Sequence, residues 1–380
     1  MTRNPAFWYP FWAVIALAAV IWFGTTDGRQ TLTVGVIGPL TGPAATYGLS
    51  QRQGVKLAAD QINAEGGING RKLQLLFLDD TNEKVKAAEA GRDLIYRQNA
   101  VAIIGAITSD NTMNLQRLCE KARVPLLTAV STNPFITRVN FSYSFRCLSD
   151  DNVQAQALAK YTVNTLNLRK MAILHDSNKY GSQGARTYME FAGQLGQAVV
   201  ANESYEAGTV NFRDQLERIR AANPDGLLIW GLVNESALAT RQARELGLRI
   251  PFFGGDGMAP NAYLYMAGAA GDGTILTFPF DPNRGGESTR RFLQSYQQAF
   301  GQNPDSFAAH GFDGLMLIAQ ALKSSNGTGP SLREALARIT EYQGVTGKGG
   351  FDPTGNETRS VQLARVQNGQ FVPLNEGGTP

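Results

Sequence analysis

A chain of 380 residues is too long for one compact core and fits two medium-sized domains. With 43% hydrophobic and 18% charged residues it is globular, neither disordered nor embedded throughout in a membrane. The net charge of +3, from 35 Lys and Arg against 32 Asp and Glu, is small and evenly spread, which argues against a nucleic-acid partner.

The first element is an apolar stretch behind Arg3, from Phe11 to Phe23, with a softer extension back to Ala6. Its core has the length of a secretory signal. Residues 6–24 are nearly long enough to span a bilayer, with Trp8, Tyr9 and Trp22 placed for the two interfaces. No small-x-small cleavage site follows, so an uncleaved membrane anchor is favoured over a cleaved signal. No cysteine follows either, which excludes a lipid-modified one. Residues 1–30 are thus expected to be signal or anchor plus linker, with the rest on the periplasmic or extracellular face.

Strand and helix then alternate. Thr31–Ile37 is a short β-branched run that ends at Gly38-Pro39, a buried strand and a turn. Tyr47–Ala64 carries Val55, Ala58, Ala59 and Ile62 on one helical face, and Gly66-Gly67 stops it. Strands are predicted at 73–78, 100–106, 125–129 and 141–147, with helices at 83–98 and 111–122. The rhythm restarts with a helix at 150–166. Strands at 171–175, 198–205, 226–231 and 251–255 follow, separated by helices at 184–195, 212–222 and 235–246. Strands joined through helices of this length make right-handed βαβ units and a mostly parallel sheet. Two series predict an α/β fold of two Rossmann-like lobes.

The tail departs from the rhythm. Helices are predicted at 287–300, 307–323 and 331–339, with no strand between them, and they most economically return to cover the first sheet. A Gly-rich passage, 344–355, precedes a hairpin of 360–366 and 370–374 through Asn368-Gly369, a strong turn pair.

Enzyme motifs fail one by one. The two histidines, His175 and His310, have no partner at metal-ligand spacing. There is no His-Glu-x-x-His, no Cys-x-x-Cys and no Gly-x-Ser-x-Gly. Gly347-Lys348 is followed by Gly349 rather than Ser or Thr, so it is no phosphate loop. No catalytic residue, metal or cofactor is expected. Cys119 and Cys147 lie in different predicted elements, and two buried thiols are a simpler reading than a disulfide.

What remains is polar loops at the carboxyl ends of strands, where open α/β sheets bind ligands. Ile107 to Thr112 is one, with Ser109 in it; Val130-Ser131-Thr132-Asn133-Pro134 is the other. Hydroxyls and free N–H groups near helix N-termini suit a carboxylate. Taken singly, each loop reads more readily as helix capping than as a site; adjacency in strand order is what makes the pair a candidate. Across the cleft, Gly254-Gly255-Asp256-Gly257 offers a carboxylate that suits an ammonium group, or else makes a plain turn. Tyr47, Tyr180, Trp230 and Phe307 lie near the same edges. Together these groups outline a pocket for an amino acid.

These residues resemble the type I periplasmic-binding family, in its leucine/isoleucine/valine-binding branch of ABC-importer receptors. The resemblance runs over about residues 31–380. It is carried by Val34 to Gly42, Tyr47-Gly48, His175-Asp176, Tyr180-Gly181 and Phe253 to Gly257, and most specifically by Ile62-Asn63-Ala64-Glu65-Gly66-Gly67-Ile68-Asn69-Gly70. It implies that Ser109, Ser131 and Thr132 take the ligand carboxylate and Asp256 its ammonium, with Tyr47, Tyr180 and Phe307 walling the pocket beside Val130. Val233 stands where the branch often has an aromatic, with Trp230 nearby. Amide, urea and aromatic-acid receptors share the scaffold.

The family's three crossings would fall near 145–149, 276–280 and 349–353. Lobe one is then 31–147 with 279–349, and lobe two 148–278 with 350–380. The implied partners are a small-molecule ligand, a membrane ABC permease and, through the N-terminal segment if uncleaved, the membrane itself. The rival reading is a membrane-anchored ligand-sensing domain of a signalling system.

Overall fold

The computed structural model describes residues 31–138, 141–284 and 286–374. The apolar segment expected as signal or anchor lies outside them. Among the described residues no helix is long and apolar enough to cross a membrane.

The first sheet holds β1 (Leu32–Gly38), β2 (Leu73–Asp79), β3 (Ala102–Ile104), β4 (Leu126–Thr128) and β5 (Ser144–Arg146), in the order β2-β1-β3-β4-β5. All its pairings are parallel, with Val34 beside both Leu75 and Ala102. Its connections are α1 (Ala45–Ala64), α2 (Lys84–Tyr96), α3 (Ser109–Ala122) and the short α4 (Phe135–Arg138).

After β5 the chain crosses to a second body. Its helices and strands are α5 (Asp151–Lys160), β6 (Lys170–Asp176), α6 (Lys179–Gln194), β7 (Ala198–Tyr205), α7 (Arg213–Ala221), β8 (Gly226–Trp230), α8 (Val233–Glu245), β9 (Phe252–Gly254), α9 (Ala262–Ala267) and β10 (Ile275–Phe278). The chain then returns as α10 (Gly286–Phe300), α11 (Ser306–Lys323) and α12 (Gly329–Ala337). These helices bury Phe292, Leu315, Ile318 and Leu336 in one core with Val34, Val36, Ala102 and Ile104 of the first sheet. α11 lies so close to α1 that a Cβ on Gly54 would sit 1.9 Å from the Ala308 carbonyl oxygen.

The last elements are β11 (Tyr342–Gly344), β12 (Gly347–Gly349), β13 (Gln362–Gln367) and β14 (Gln370–Pro373). The second sheet has the order β14-β13-β10-β9-β8-β6-β7, parallel except for β13 and β14. The β13–β14 turn sets Asn368 at φ 51° and Gly369 at φ 70°, the left-handed pair that a tight hairpin requires.

The expected α/β class holds, with corrections in detail. β10 belongs to a stretch with no predicted strand, and the Gly-rich passage contains the β11–β12 pair. α3 begins at Ser109, so that residue lies in a helical turn rather than a loop. Both cysteines are free and buried, Cys119 inside α3 and Cys147 just past β5.

Arg146 ends β5 at the first crossing and is fully buried. Its guanidinium donates to Asn356 Oδ1 at 2.6 and 2.9 Å, to Asn133 O at 2.7 Å and to Thr137 Oγ1 at 3.1 Å. Asp150 lies 3.5 Å away. A planar fork is the side chain suited to so many fixed acceptors. It ties the loop after β4 to the last return of the chain between the two bodies.

Candidate functional site

The two sheets turn their carboxyl edges towards each other, and one small cavity lies between them. Ile107, Ser109, Val130, Ser131 and Thr132 line it from the loops after β3 and β4, with Tyr47 and Phe307 from α1 and α11. Tyr180, Leu232, Asp256 and Gly257 line it from the second body. Its volume is about 20 Å³, near the room that one water needs. A larger depression of about 830 Å³ on the outer face of α2 is rimmed by Lys86, Glu89, Arg92 and Arg97, a solvated charged surface with no convergence of buried groups.

The hydroxyl loops are built to hold geometry. Thr128 Oγ1 accepts from the Ser131 N–H at 3.0 Å. Ser131 Oγ donates to Ile107 O at 2.8 Å and shares a 2.6 Å bond with Thr112 Oγ1, which locks one loop to the other. The Ser131 hydroxyl, expected to face a carboxylate, is therefore occupied by the loops themselves. Ser109 Oγ accepts from the Asn133 N–H at 3.3 Å and keeps its own hydrogen to donate. Thr132 Oγ1 is buried at the cavity with no hydrogen-bond partner there. Helix capping does not account for the first loop: Thr108 stands at the N-cap of α3 without a side-chain cap bond and donates instead to Asn82.

Opposite, Asp256 opens a single 3₁₀ turn after β9 and is 2% exposed. Tyr180 donates to its Oδ1 at 3.0 Å and accepts from the Gly257 N–H at 2.9 Å. The Asp256 N–H donates to Gln154 Oε1 at 3.1 Å. Burial raises the Asp256 carboxyl to about 6, against the bonds from Tyr180 and Gln154. A buried, incompletely neutralised carboxylate favours a cation beside it.

The aromatic walls divide. Tyr47 and Phe307 meet edge to face at 5.1 Å between centroids and line the cavity. Trp230 does not line it. This ring is fully buried 6.2 Å behind Tyr180, packed so closely on α6 that a Cβ on Gly184 would lie 2.1 Å from it. An aromatic at a strand end reads as a wall in sequence, but the pleat turns Trp230 into the core.

Besides those of Tyr47, further bonds lie where the two bodies meet or at the rim. Asn133 Nδ2 donates to Lys179 O and the Lys179 N–H to Asp110 Oδ2, both at 2.9 Å. Asn234 Nδ2 donates to Pro43 O at 2.9 Å, and Lys84 pairs with Asp110 at 2.8 Å. Sequence reasoning missed Gln154 and Leu232. The only local cue for Gln154 is its place one helical turn after the Asp150 cap, which speaks for α5 and not for a site.

A family model described as periplasmic binding protein matches residues 31–370. An amino acid binding protein of Pseudomonas aeruginosa is 29% identical over 346 residues, 90% of this chain and 92% of that one. A leucine-, isoleucine-, valine-, threonine- and alanine-binding protein of the same organism is 27% identical, over 86% of this chain and 87% of its own. Among solved structures, a leucine-binding protein from Thermotoga maritima matches with a TM-score of 0.86 at 26% identity, covering 91% of this chain and 98% of that one. A branched-chain amino acid transporter substrate-binding protein from Streptococcus pneumoniae, in complex with isoleucine, matches at 0.85 and 26%, covering 91% and 99%. The chain belongs to the type I periplasmic binding protein family, on the branch that its leucine-, isoleucine- and valine-binding relatives define.

Proposed function

We propose that this chain binds an α-amino acid with an apolar side chain between two closing lobes, outside the cytoplasm, and presents it to an ABC permease without chemical change. The observation that carries the reading is one cavity with hydroxyl loops on one side and a buried acid on the other. The hydroxyls of Ser109 and Thr132 receive the carboxylate. Asp256, steadied by Tyr180 and Gln154, receives the ammonium. Ile107, Val130, Leu232 and the rings of Tyr47 and Phe307 surround the side chain. The branched-chain ligands named for the relatives fit that apolar lining.

A cavity of about 20 Å³ is too small for such a ligand, so the lobes must part to admit it. We take lobe one as 31–147 with 279–349 and lobe two as 148–278 with 350–380, hinged where Arg146 meets Asn356. Ligand bound first to lobe one then stabilises closure by the contacts it gains from lobe two. Titration calorimetry with leucine, isoleucine, valine, alanine, urea, acetamide and benzoate tests the reading. Binding of the apolar amino acids alone supports it; binding of only the uncharged amide or only the aromatic acid rejects the zwitterion site.

A further inference from the structure

Asp151, the first residue of α5, has no place in the site as described, yet its surroundings are unusual. It is fully buried, and neither carboxyl oxygen has a hydrogen-bond partner apart from the Thr132 side chain. Its N–H donates to Thr132 O at 2.9 Å, which sets it against the residue whose hydroxyl is otherwise unpartnered at the cavity. The two side chains have no other hydrogen-bond partner and meet each other, so they are better explained together than apart.

The charges around Asp151 oppose its ionisation. Asp256 is the strongest of them, and Asp150 adds to it. Asp150 is already engaged, capping α5 through the Asn152 and Val153 N–H groups and facing Arg146 and Arg138. Arg146 acts the other way but gives its hydrogens to Asn356, Asn133 and Thr137. Tyr180, across the site, is a neutral phenol. Burial first, then Asp256, hold the Asp151 carboxyl well above the ordinary carboxylate range, against the hydrogen bond it shares with the Thr132 side chain. A neutral acid has one O–H to donate, and the Thr132 hydroxyl is the side chain set against the Asp151 carboxyl.

We propose that Asp151 is a positioning residue, a neutral acid that donates to Thr132 Oγ1 and so turns the Thr132 hydroxyl hydrogen towards the ligand carboxylate. This rests on the amino-acid reading above. The same arrangement keeps a second negative charge out of a site that must accept a carboxylate, and leaves Asp256 alone to meet the ammonium.

The test compares L-leucine affinity by calorimetry on the full chain and its Asp151→Asn, Asp151→Ala and Thr132→Val variants, with thermal unfolding as the control for folding. Asn is neutral and keeps a donor, so Asp151→Asn should bind within about threefold of the parent. Asp151→Ala and Thr132→Val should each weaken binding about tenfold or more, and the double variant no further, because both remove one link. An Asp151→Asn variant as weak as Asp151→Ala, or an Asp151→Ala variant that binds normally, overturns the proposal.

A second readout needs no ligand. At pH 8 the infrared carbonyl band of a protonated carboxyl should be present in the parent and absent from Asp151→Asn, and a parent without it also overturns the proposal. A parent that binds no amino acid rejects the functional reading before any variant is compared, and with it the ligand-facing half of this one.

Discussion

The Tyr47 hydroxyl donates to Gly257 O at 2.6 Å while accepting from the Val233 N–H at 2.7 Å, so one side chain on the first body holds two backbone groups of the second. Burial keeps this phenol protonated, with its pKa well above 10, and thus able to donate. Tyr47→Phe should leave both backbone groups unpaired only when the lobes are together. At about 1–3 kcal/mol of closed-state stabilisation, leucine affinity should fall about five- to 150-fold. Calorimetry measures the loss, and small-angle scattering should show the variant more open at equal ligand. Unchanged affinity and unchanged shape would remove Tyr47 from the closing mechanism.

Asp256 gives stability and binding opposite dependences on pH. Its carboxyl stands at about 6 in the closed protein against an ordinary 3.8. In that window the folded chain holds a proton that the unfolded chain has released. The resulting stabilisation is therefore complete below about 4 and lost as pH rises through about 6. An ammonium ligand needs the carboxylate, so affinity should rise about tenfold per pH unit up to about 6 and then level. Asp256→Asn should bind weakly and flatly from pH 5 to 8. Asp176, also raised to about 6 by burial, shares the stability window, so Asp176→Asn should alter the unfolding profile and leave the binding profile in place.

The Arg146 junction should be among the most sensitive positions for stability. Arg146→Met would strip three acceptors of their donor and leave Asp150, 1% exposed, without its buried partner. Breaking a buried pair from one side costs about 3–5 kcal/mol, which urea unfolding should report as a lower midpoint. Arg338→Ala, which removes an exposed pair with Glu334 on α12, should change stability by about 0.5 kcal/mol or less. Equal effects at the two sites would contradict the burial argument.

The alternation of long helices with β-branched runs made most of both sheets readable, since central strands such as β1, β6 and β8 are apolar on two faces. β10 escaped because Ile275–Phe278 is four residues long and enters the sheet beside a strand from the chain's far end. β11 and β12 escaped because their pairing runs through glycines that carry no alternation. Thr132, Tyr180 and Asp256 could be placed at the cavity from the sequence because each lies within a few residues of a strand's carboxyl end, in a loop, a first helical turn and a 3₁₀ turn respectively. Asp151 and Gln154 could not. They lie on a helix of the opposite body, and only tertiary folding brings that helix under the loop after β4.

Cys119 and Cys147 are 0% and 1% exposed, and burial lifts the Cys119 thiol to about 12. Thiolate, the reactive form, is therefore scarce. Both should resist a water-soluble disulfide reagent in the native protein and react together once it is denatured. Reductant should leave the melting temperature unchanged. Fast labelling of either cysteine without denaturant would contradict this packing.

The ring behind Tyr180 has one more consequence. The other three tryptophans, Trp8, Trp12 and Trp22, all lie before residue 31, so Trp230 is the one indole among the described residues. It touches the phenol that braces Asp256, and it is shielded from water on every side. Loading and release of a solute should therefore be visible as a change in the Trp230 contribution to native fluorescence, with no dye attached.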